Sequence, residues 1–432
     1  MNLKLVEAAR VMGGALIPAG EVARIRGAAI DSREVKPGDA FFALEGEWRD
    51  GHDFVGDSFR RGAAAAVVRR EIPGAGGPQI VLPDPAEGLR VLAGWVRDVL
   101  DPVVVGITGS TGKTSVKDLL FSILSRRAPT VASPRSFNND LGVPLTLLSS
   151  KTETRFVICE MGSRGRGHIK LLCDLARPQV GIVTNVGVAH FEQFGSQDAI
   201  AAAKAELVQS LPEGGAAVLN ADDPLVMGMG SATHAEVFTF GRSPDAWVRA
   251  ESVSTDRIGR PTMRMVRGRE GVWVTLLASG AHQVSNALAA SAAALALGLS
   301  VEDCREGLES AAISPWRMEV RTKAGVTFVN DAYNANPTSM ASALSTSSGI
   351  AGSSGRLIAV LGYMAELGEL EVTEHRRVGA LAASLASKLI VVGERARPIA
   401  SGATEAGMED VRVVDDAESA LEAIGPLRPG DV

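Results

Sequence analysis

Short apolar runs alternate with helical patterns through the middle of the chain. After a break at Asp101-Pro102, such runs occupy residues 103–107, 156–160, 180–184 and 216–220. Behind the first run, apolar residues recur at the three-and-four spacing of one helix face, at Val116, Leu119, Leu120, Ile123 and Leu124. Unbroken apolar strands that alternate with amphipathic helices indicate a parallel sheet covered on both faces.

The segments before and after these alternating runs have other patterns of apolar residues. Residues 1–98 hold short apolar runs separated by Gly, Pro and Asp turns, which predicts a small α/β domain. Residues 245–279 alternate in the manner of a β excursion from the central sheet. An Ala-rich helix is predicted to follow at residues 284–298.

A third unit starts near Ile313. Residues 345–354 within it are rich in Ser and Gly, which predicts a surface loop. Its apolar strands are predicted at residues 326–330, 357–361, 388–392 and 411–414. The helical patterns between these strands indicate a second parallel sheet of Rossmann-like kind.

Together these patterns predict an α/β protein of three domains, and a length of 432 residues is sufficient for that number. We predict a small N-terminal α/β domain at residues 1–98. A central domain with a parallel sheet is predicted at 99–313, and a Rossmann-like C-terminal domain at 314–432.

Composition narrows the class of protein further. Charged residues of both signs are interspersed and the net charge is −6, so no basic patch for nucleic acid is expected. The most apolar stretch, residues 287–299, is too short to span a bilayer, so membrane insertion is not expected. The N-terminus lacks the apolar core of a signal peptide, and the three cysteines lack the paired spacing of a zinc site. We therefore expect a cytoplasmic protein.

The strongest motif is GITGSTGKTS at residues 106–115. It follows a predicted strand and opens a predicted helix, which is the context of a P-loop that binds nucleotide phosphates. The predicted contacts are Gly109, Ser110, Thr111, Gly112, Lys113, Thr114 and Ser115. Lys113 is expected to reach the outer phosphates, and the Thr114 hydroxyl to ligate Mg²⁺. Ile107 stands where the common spacing has glycine, and a Gly-rich turn that binds nothing is the alternative.

Three further residues are candidates for metal chemistry. Glu160 ends the apolar run 156–160, at the edge of a parallel sheet where ligands bind, although a helix cap or ion-pair partner is equally typical there. His190 follows the run 180–184 and, taken alone, is more typical of a structural histidine. Lys204 lies in an Ala-rich helical pattern, and by itself it predicts a solvated lysine.

Several motifs in order resemble those of the Mur ligase family. The N-terminal residues 31–54 are similar to the UDP-sugar-binding segment of that family, and residues 137–148 with 333–340 resemble its D-alanyl-D-alanine-adding members. The motifs are GSTGKTS, EMGSRGRGHI, NVGVAHFEQFGS, AKAELV, LNADDP, DAYNANPTSM and MAELG. The resemblance spans nearly the whole chain, and several motifs in order are more specific than any one of them.

The resemblance implies an ATP-dependent ligase of peptidoglycan precursor synthesis. ATP phosphorylates the terminal carboxylate of a UDP-N-acetylmuramoyl tripeptide, and the amine of D-alanyl-D-alanine attacks the acyl phosphate. The implied cofactors are ATP, Mg²⁺ and a lysine carbamoylated by CO₂, and Lys204 matches that lysine. A carbamate is anionic and rich in oxygen, so it suits a hard cation that an ammonium group repels. We expect a monomer.

The resemblance also assigns roles to particular residues. Lys113, His190 and Lys204 are the implied catalytic residues, with Thr114, Glu160, His190 and Lys204 as the implied metal ligands. Asn286, Arg317 and Asp331 are implied to contact adenine, phosphate and ribose. The implied substrate contacts are Ser32, Arg33, Asn138, Asn139, Tyr333, Asn334 and Asn336.

The sequence departs from the family pattern in four places. Gln283 stands where the family has Asn, Trp316 where it has Gly, and Tyr363 where it has Asp. The chain also ends at Val432, where family members continue into an apolar strand and a Lys-Gly-Ser loop. We therefore expect the third domain to lack its last elements.

Other functions remain open from the sequence. The runner-up within the family is the ligase that adds the third amino acid, although its Asp-Asn-Pro-Arg segment has no match in the third domain. A folylpolyglutamate synthase leaves the N-terminal domain unexplained. Outside the ligases, a P-loop ATPase that acts as a switch, or an inactive ligase-like protein, is possible. A switch would hydrolyse ATP without an amine acceptor, whereas a ligase needs both of its substrates.

Overall fold

The computed structural model describes residues 1–188 and 191–432. Its β-strands confirm most of the predicted apolar runs to within a residue or two at each end. In chain order the strands are β1 Leu3–Lys4, β2 Ala15–Ile17, β3 Arg24–Ile25, β4 Gly27–Ala29, β5 Asp39–Phe42, β6 Ala65–Val68, β7 Gln79–Val81, β8 Val103–Thr108, β9 Thr130–Ala132, β10 Phe156–Glu160, β11 Val180–Val183, β12 Ala216–Asn220, β13 Glu236–Gly241, β14 Val248–Thr255, β15 Pro261–Arg267, β16 Glu270–Thr275, β17 Glu319–Lys323, β18 Val326–Asn330, β19 Ile358–Leu361, β20 Lys388–Val392 and β21 Val411–Val414.

The helices alternate with these strands, as the α/β pattern predicts. Over the described ranges, no helix has the length and apolarity that a membrane crossing requires. The helices are α1 Leu5–Met12, α2 Val55–Arg60, α3 Pro85–Leu100, α4 Lys113–Ser125, α5 Gly142–Leu148, α6 His168–Ala176, α7 Phe191–Phe194, α8 Gln197–Gln209, α9 Pro224–Gly228, α10 His282–Ala296, α11 Val301–Glu309, α12 Pro337–Ala351, α13 Glu371–Leu385, α14 Arg397–Glu405 and α15 Ala417–Ile424.

The chain divides into two compact units whose limits differ from the predicted domains. The first comprises Met1–Gly106, Arg127–Gly162 and Ile169–Gln179, and the second comprises Ile107–Arg126, Ser163–His168 and Val180–Val432. The α/β class is confirmed by this alternation of strands and helices. The domain limits at residues 98 and 313 stay a prediction.

The first unit contains a five-stranded sheet in the order β2-β7-β6-β5-β4. Its strands β4 to β7 are parallel, and the edge strand β2 is antiparallel to β7. Strand β9 pairs with β10 in parallel in the same unit. Phe41, Val55 and Val68 are fully or almost fully buried, so the small N-terminal sheet has a core of its own.

The second unit carries a longer run of strands. Strands β11, β12, β13 and β14 are parallel neighbours, and β14, β15 and β16 are antiparallel neighbours. This switch confirms the predicted β excursion at residues 245–279. Helix α10 follows it, and its Ala-rich sequence is almost wholly buried. Such a helix is hydrophobic on every side because it is covered on every side.

The C-terminal part of the second unit contains a parallel sheet in the order β19-β20-β21. Its core includes Leu344, Val378, Leu389 and Ile399, contributed by α12, α13, β20 and α14. The prediction that residues 326–330 belong to this parallel sheet was wrong. They form β18, which pairs with β17 in an antiparallel ribbon. A five-residue apolar run does not disclose its pairing partner, because partners are chosen by contacts distant in sequence.

The predicted surface loop at residues 345–354 was also wrong over most of its length. Helix α12 continues through it to Ala351. Asn336 begins this helix with a reciprocal capping box to Ser339, and Pro337 occupies the first turn. The cap and the burial of Ser347 outweigh the low helix propensity of Ser and Gly.

The chain end runs between β18 and β19. The Thr327 N–H donates to the Asp431 carbonyl at 2.9 Å, and the Ile358 N–H donates to the Val432 carbonyl at 2.8 Å. Next to it lies an apolar groove of about 1000 Å³, in which Phe328 and Val360 are about half exposed. The expectation that the third domain lacks its last elements stays a prediction.

Helices α13 and α14 cross where each carries a glycine. A Cβ on Gly379 would lie 1.9 Å from the Ile399 carbonyl oxygen, and one on Gly402 would lie 2.1 Å from the Arg376 carbonyl oxygen. We predict that Gly379→Ala lowers the free energy of unfolding by about 1–3 kcal/mol or more, because the helices must separate. Chemical denaturation measures this.

Gly349 in α12 provides the matched control, since a Cβ there meets nothing within 4 Å. Gly349→Ala is expected to raise the free energy of unfolding by about 0.5–1 kcal/mol, because alanine favours a helix over glycine. Equal effects of the two substitutions would contradict the close packing of α13 on α14.

Candidate nucleotide and ligase site

The predicted P-loop joins β8 to α4 by a turn that only glycine accommodates. Gly112 precedes the helix with φ of 83°. A Cβ on Gly109 would lie 1.8 Å from Thr184 Oγ1, and one on Gly112 would lie 2.5 Å from Asn286 Oδ1. The glycines are therefore required by close approach of neighbouring side chains as well as by backbone conformation.

The segment after β11 holds the loop in place. The Ser110 N–H donates to the Asn185 carbonyl at 3.0 Å, and the Thr111 N–H donates to Asn185 Oδ1 at 2.9 Å. Thr184 Oγ1 donates to the Thr111 carbonyl at 2.6 Å. Thr184 and Asn185 were not among the site residues predicted from the sequence. The signal that could have found them is the one used for Glu160, a polar residue directly after a buried strand.

The start of α4 presents the groups expected of a phosphate site. Lys113 Nζ donates to the Gly109 carbonyl at 2.7 Å and so spans the loop. Thr114 and Ser115 follow in the first turn with buried side chains. Backbone N–H groups and the positive end of the helix dipole favour an anion at this position.

Lys204 is buried, which contradicts the solvated lysine expected from its local sequence. It lies in α8 and is 4% exposed. Burial, and then the positive charge of Lys113, lower the pKa of its amine to about 7. A large share of the Lys204 side chains is therefore neutral near pH 7, and a neutral amine is the form that reacts with CO₂.

Asn286 lies on α10 with its side chain buried. Its Nδ2 donates to Gln283 Oε1 at 3.0 Å. Gln283 Nε2 lies 3.2 Å from His282 Nε2, and burial lowers the pKa of His282 to about 4, so this ring is neutral. Gln283 thus provides a side-chain amide that contacts Asn286. This contact explains why glutamine can replace the asparagine that the family pattern has at position 283.

Arg317, Asp331 and Tyr333 are brought together in the C-terminal part of the second unit. The Arg317 guanidinium carbon lies 4.2 Å from the centre of the Tyr333 ring. Asp331 Oδ1 accepts a hydrogen bond from the Met318 N–H at 2.9 Å. Burial raises the pKa of the Asp331 carboxyl to about 6, although this bond and the charge of Arg317 oppose the rise.

Trp316 stands in a left-handed backbone conformation, with φ of 61°. This conformation costs a non-glycine residue about 1–2 kcal/mol. The family's glycine would meet no such cost, so the departure at Trp316 places strain directly beside Arg317.

Glu160 and Asn138 form a pair in the first unit. Glu160 is 2% exposed at the end of β10, and its Oε1 accepts from Asn138 Nδ2 at 2.9 Å. The neighbouring Asn139 accepts a hydrogen bond from the Gly142 N–H at 2.8 Å, at the start of α5. The geometry thus gives Asn139 a structural role, while Asn138 orients a buried carboxylate.

The predicted UDP-sugar segment also lies in the first unit. Ser32 is buried in a turn that Asp31 caps, and the exposed Arg33 forms a forked ion pair with Asp31. This contact holds the pKa of the Asp31 carboxyl below its usual range. Arg135 reaches Glu34 at 3.3 Å, which links this segment to the loop that carries Asn138.

The remaining predicted substrate residues follow β18. Asn334 Oδ1 accepts from the Ala335 N–H at 2.9 Å, and Asn336 caps α12. These contacts assign both side chains a part in shaping the loop. Tyr333 is 40% exposed, with its ring under Arg317.

The predicted metal ligands are described in part. His190 lies outside the described residues. Within residues 1–188 and 191–432, no group of three or more His, Cys, Asp or Glu side chains is placed to hold a metal ion. The oxygen donors of Thr114 and Glu160 suit Mg²⁺ chemically, whereas an ammonium on Lys204 does not.

Three family profiles match the chain along most of its length. The Mur ligase family catalytic domain matches residues 24–94, the Mur ligase middle domain matches 107–294, and the Mur ligase glutamate ligase domain matches 316–432. The chain belongs to the Mur ligase family, and it is an ATP-dependent ligase that forms amide bonds.

The similar proteins are named as one particular member of this family. The UDP-N-acetylmuramoyl-tripeptide–D-alanyl-D-alanine ligase of Mycobacterium tuberculosis is 39% identical over 484 aligned residues, which cover 100% of this chain and 94% of the relative. A crystal structure of MurF from Acinetobacter baumannii superposes with a TM-score of 0.86 at 31% identity, over 98% of this chain and 92% of that one. The MurF ligase of Thermotoga maritima in complex with ADP superposes with a TM-score of 0.80 at 27% identity, over 94% and 92%.

We predict that Gly109→Ala abolishes nucleotide binding, because its Cβ would overlap Thr184 and displace the loop. Isothermal titration with ADP measures this. Gly228→Ala is the control, since Gly228 has φ of −58° and open space around it. Wild-type ADP affinity in Gly109→Ala would show that the loop is not the nucleotide site.

Proposed function

We propose that this chain joins D-alanyl-D-alanine to a UDP-N-acetylmuramoyl tripeptide, with ATP as the energy source, in the synthesis of peptidoglycan precursors. The main support for the proposal is the 39% identity, over the whole chain, to a ligase named UDP-N-acetylmuramoyl-tripeptide–D-alanyl-D-alanine ligase. The motif YNANPTSM at residues 333–340 supports the same member of the family. The cytoplasmic location and the monomeric state stay predictions.

The proposed reaction has two chemical steps. The terminal carboxylate of the tripeptide attacks the γ-phosphoryl group of ATP, which yields an acyl phosphate and ADP. The amine of the dipeptide then attacks the acyl carbon, and the tetrahedral intermediate expels phosphate as the amide forms. Both steps bring anionic groups together, so positioning and positive charge are the main needs of the site.

We assign residues 109–115 to the ATP phosphates, and the hydrogen bonds within the loop and its position before α4 support this assignment. Lys113, once released from the Gly109 carbonyl, is the cation that stabilises charge on the transferred phosphoryl group. We assign Asn286 to adenine, Arg317 to phosphate and Asp331 to ribose. These assignments are supported by the burial of Asn286, by the partial burial of Asp331 and by the stacking of Arg317 on Tyr333.

Mg²⁺ would be held by Thr114, Glu160, His190 and a carbamate on Lys204, and it would neutralise phosphate charge there. The carboxylate of Glu160 is oriented by Asn138, and the Lys204 amine has a pKa of about 7. A buried ammonium beside Lys113 is unfavourable, and conversion to a carbamate replaces it by an anion. His190 remains assigned by its sequence motif.

The substrate contacts fall into two groups. Ser32, Arg33, Asn138 and Asn139 are assigned to the UDP-linked peptide, and they belong to one unit. Tyr333, Asn334 and Asn336 are assigned to the incoming dipeptide side. Asn139 binds the backbone at the start of α5 and Asn336 caps α12, so we expect both to act on substrate through the loops that they shape.

A panel of substrates tests the proposed function. Phosphate release is measured with UDP-muramoyl dipeptide or tripeptide, each with single amino acids or D-alanyl-D-alanine, and the products are identified by mass spectrometry. The proposal expects phosphate release and an amide product only with the tripeptide and D-alanyl-D-alanine together. Product from the dipeptide precursor and a single amino acid would favour the ligase that adds the third residue. ATP hydrolysis without either substrate would favour an ATPase switch.

Lys113→Ala is predicted to lower turnover by about a hundred- to a thousandfold, because it removes positive charge from the transition state. The far-UV circular dichroism and the melting temperature should stay close to wild type, since Lys113 begins α4 without entering the core. Turnover near the wild-type rate would contradict the assignment of this lysine.

Lys204 is predicted to carry a carbamate whose occupancy rises with pH. At a fixed CO₂ pressure, the neutral amine increases as pH rises through about 7, so the carbamate signal from ¹³CO₂ in NMR should increase over the same range. Lys204→Ala should lose both the signal and turnover, and short carboxylates should restore part of the turnover. Lys170→Ala, on the exposed face of α6, is the control. Full turnover of Lys204→Ala in CO₂-free buffer would overturn this role.

A further inference from the structure

The turn that carries Arg317 is bent on both sides of this residue. Trp316 has φ of 61° and Met318 has φ of 50°, so two non-glycine residues in left-handed conformations flank the arginine. Left-handed conformations of non-glycine residues persist only where surrounding contacts hold them, and they cluster at ligand sites. The conformation of residues 316–318 therefore calls for contacts that maintain it.

The segment after β18 supplies those contacts. The Tyr333 N–H donates to the Trp316 carbonyl at 3.3 Å, and the Met318 N–H donates to Asp331 Oδ1 at 2.9 Å. Each left-handed residue thus has a backbone hydrogen bond to the loop that holds Asp331 and Tyr333. The Arg317 side chain leaves this turn toward the same loop.

The Arg317 guanidinium then stacks on the Tyr333 ring, with 4.2 Å between its central carbon and the ring centre. The Arg317 Nε is buried and has no hydrogen-bond partner among the described residues. Stacking covers one face of the guanidinium and leaves its N–H donors pointing sideways in the plane, where they can bind an anion.

We propose that Tyr333 is a positioning residue for Arg317, and that it acts on the nucleotide phosphates through the arginine rather than on the incoming dipeptide directly. The inference rests on the phosphate role proposed for Arg317. For Tyr333 this role replaces the assignment to the dipeptide side given above. The stacking depends on the aromatic face and not on the phenol hydroxyl.

A double-mutant cycle tests the coupling. ADP and ATP-analogue affinities are measured by titration for Arg317→Ala, Tyr333→Leu, Tyr333→Phe and the Arg317→Ala/Tyr333→Leu pair. We expect Tyr333→Leu to lower nucleotide affinity about 2- to 30-fold, the range of a cation–π contact. Tyr333→Phe should retain wild-type affinity, and Tyr333→Leu should have no further effect once Arg317 is alanine.

Steady-state kinetics separate the two roles of Tyr333. The KM for ATP should rise in Tyr333→Leu while the KM for D-alanyl-D-alanine stays unchanged. Tyr363→Leu is the matched control, because Tyr363 is the chain's second tyrosine and stacks under Arg395 at 3.9 Å. It should leave nucleotide affinity unchanged, and melting temperatures report whether each variant is folded.

A second pair of variants probes the turn. Trp316→Gly should keep wild-type nucleotide affinity, because glycine adopts the left-handed conformation freely. Trp316→Val should lower it, because a β-branched residue resists that conformation and shifts Arg317.

The outcomes distinguish this inference from the proposed function. Unchanged affinity in Arg317→Ala would overturn the phosphate role of Arg317 itself. A loss in Arg317→Ala with none in Tyr333→Leu would overturn the positioning role alone, as would a Tyr333→Leu effect that persists without Arg317. A raised KM for the dipeptide with an unchanged KM for ATP would establish Tyr333 as a direct substrate contact.

Discussion

The second unit depends on the close approach of side chains to the backbone of the P-loop. Gly109 and Gly112 leave no room for a Cβ, because Thr184 and Asn286 lie where it would be. The end of β11 and the start of α10 can therefore meet the loop directly. Hydrogen bonds from Ser110 and Thr111 to Asn185 then fix the loop. The phosphate role proposed for this loop rests on this packing as much as on Lys113.

Burial affects the two titratable residues Lys204 and Glu160 in different ways. Lys204 lies in an apolar, Ala-rich helix, and a lysine there either pairs, loses its proton or is chemically converted. Burial and Lys113 have already moved its pKa to about 7. Glu160 is equally buried, but it keeps a polar partner in Asn138. A hydrogen bond thus orients the Glu160 carboxylate, whereas burial favours the neutral form of the Lys204 amine.

Departures from the family pattern have different physical costs. Gln283 keeps the amide contact to Asn286, so little is lost. Trp316 adopts a conformation that a glycine would reach without strain, yet hydrogen bonds from the loop after β18 retain it. Strain at this position is tolerated because the same contacts hold Arg317 against Tyr333. A substitution that raises local energy can thus persist where neighbouring residues already determine the backbone.

Local patterns in the sequence were sufficient to predict the alternating strands and helices, the P-loop and the β excursion, because apolar periodicity and glycine spacing act over a few residues. They failed where distant contacts decide. The burial of Lys204, the pairing of β18 with β17 and the helix that replaces the predicted loop at 345–354 all depend on partners far along the chain. The stack of Arg317 on Tyr333 is of the same kind. A residue type and its neighbours in sequence specify what a side chain can do, whereas its exposure and its partner are properties of the folded chain, because both are set by the atoms that packing brings around it.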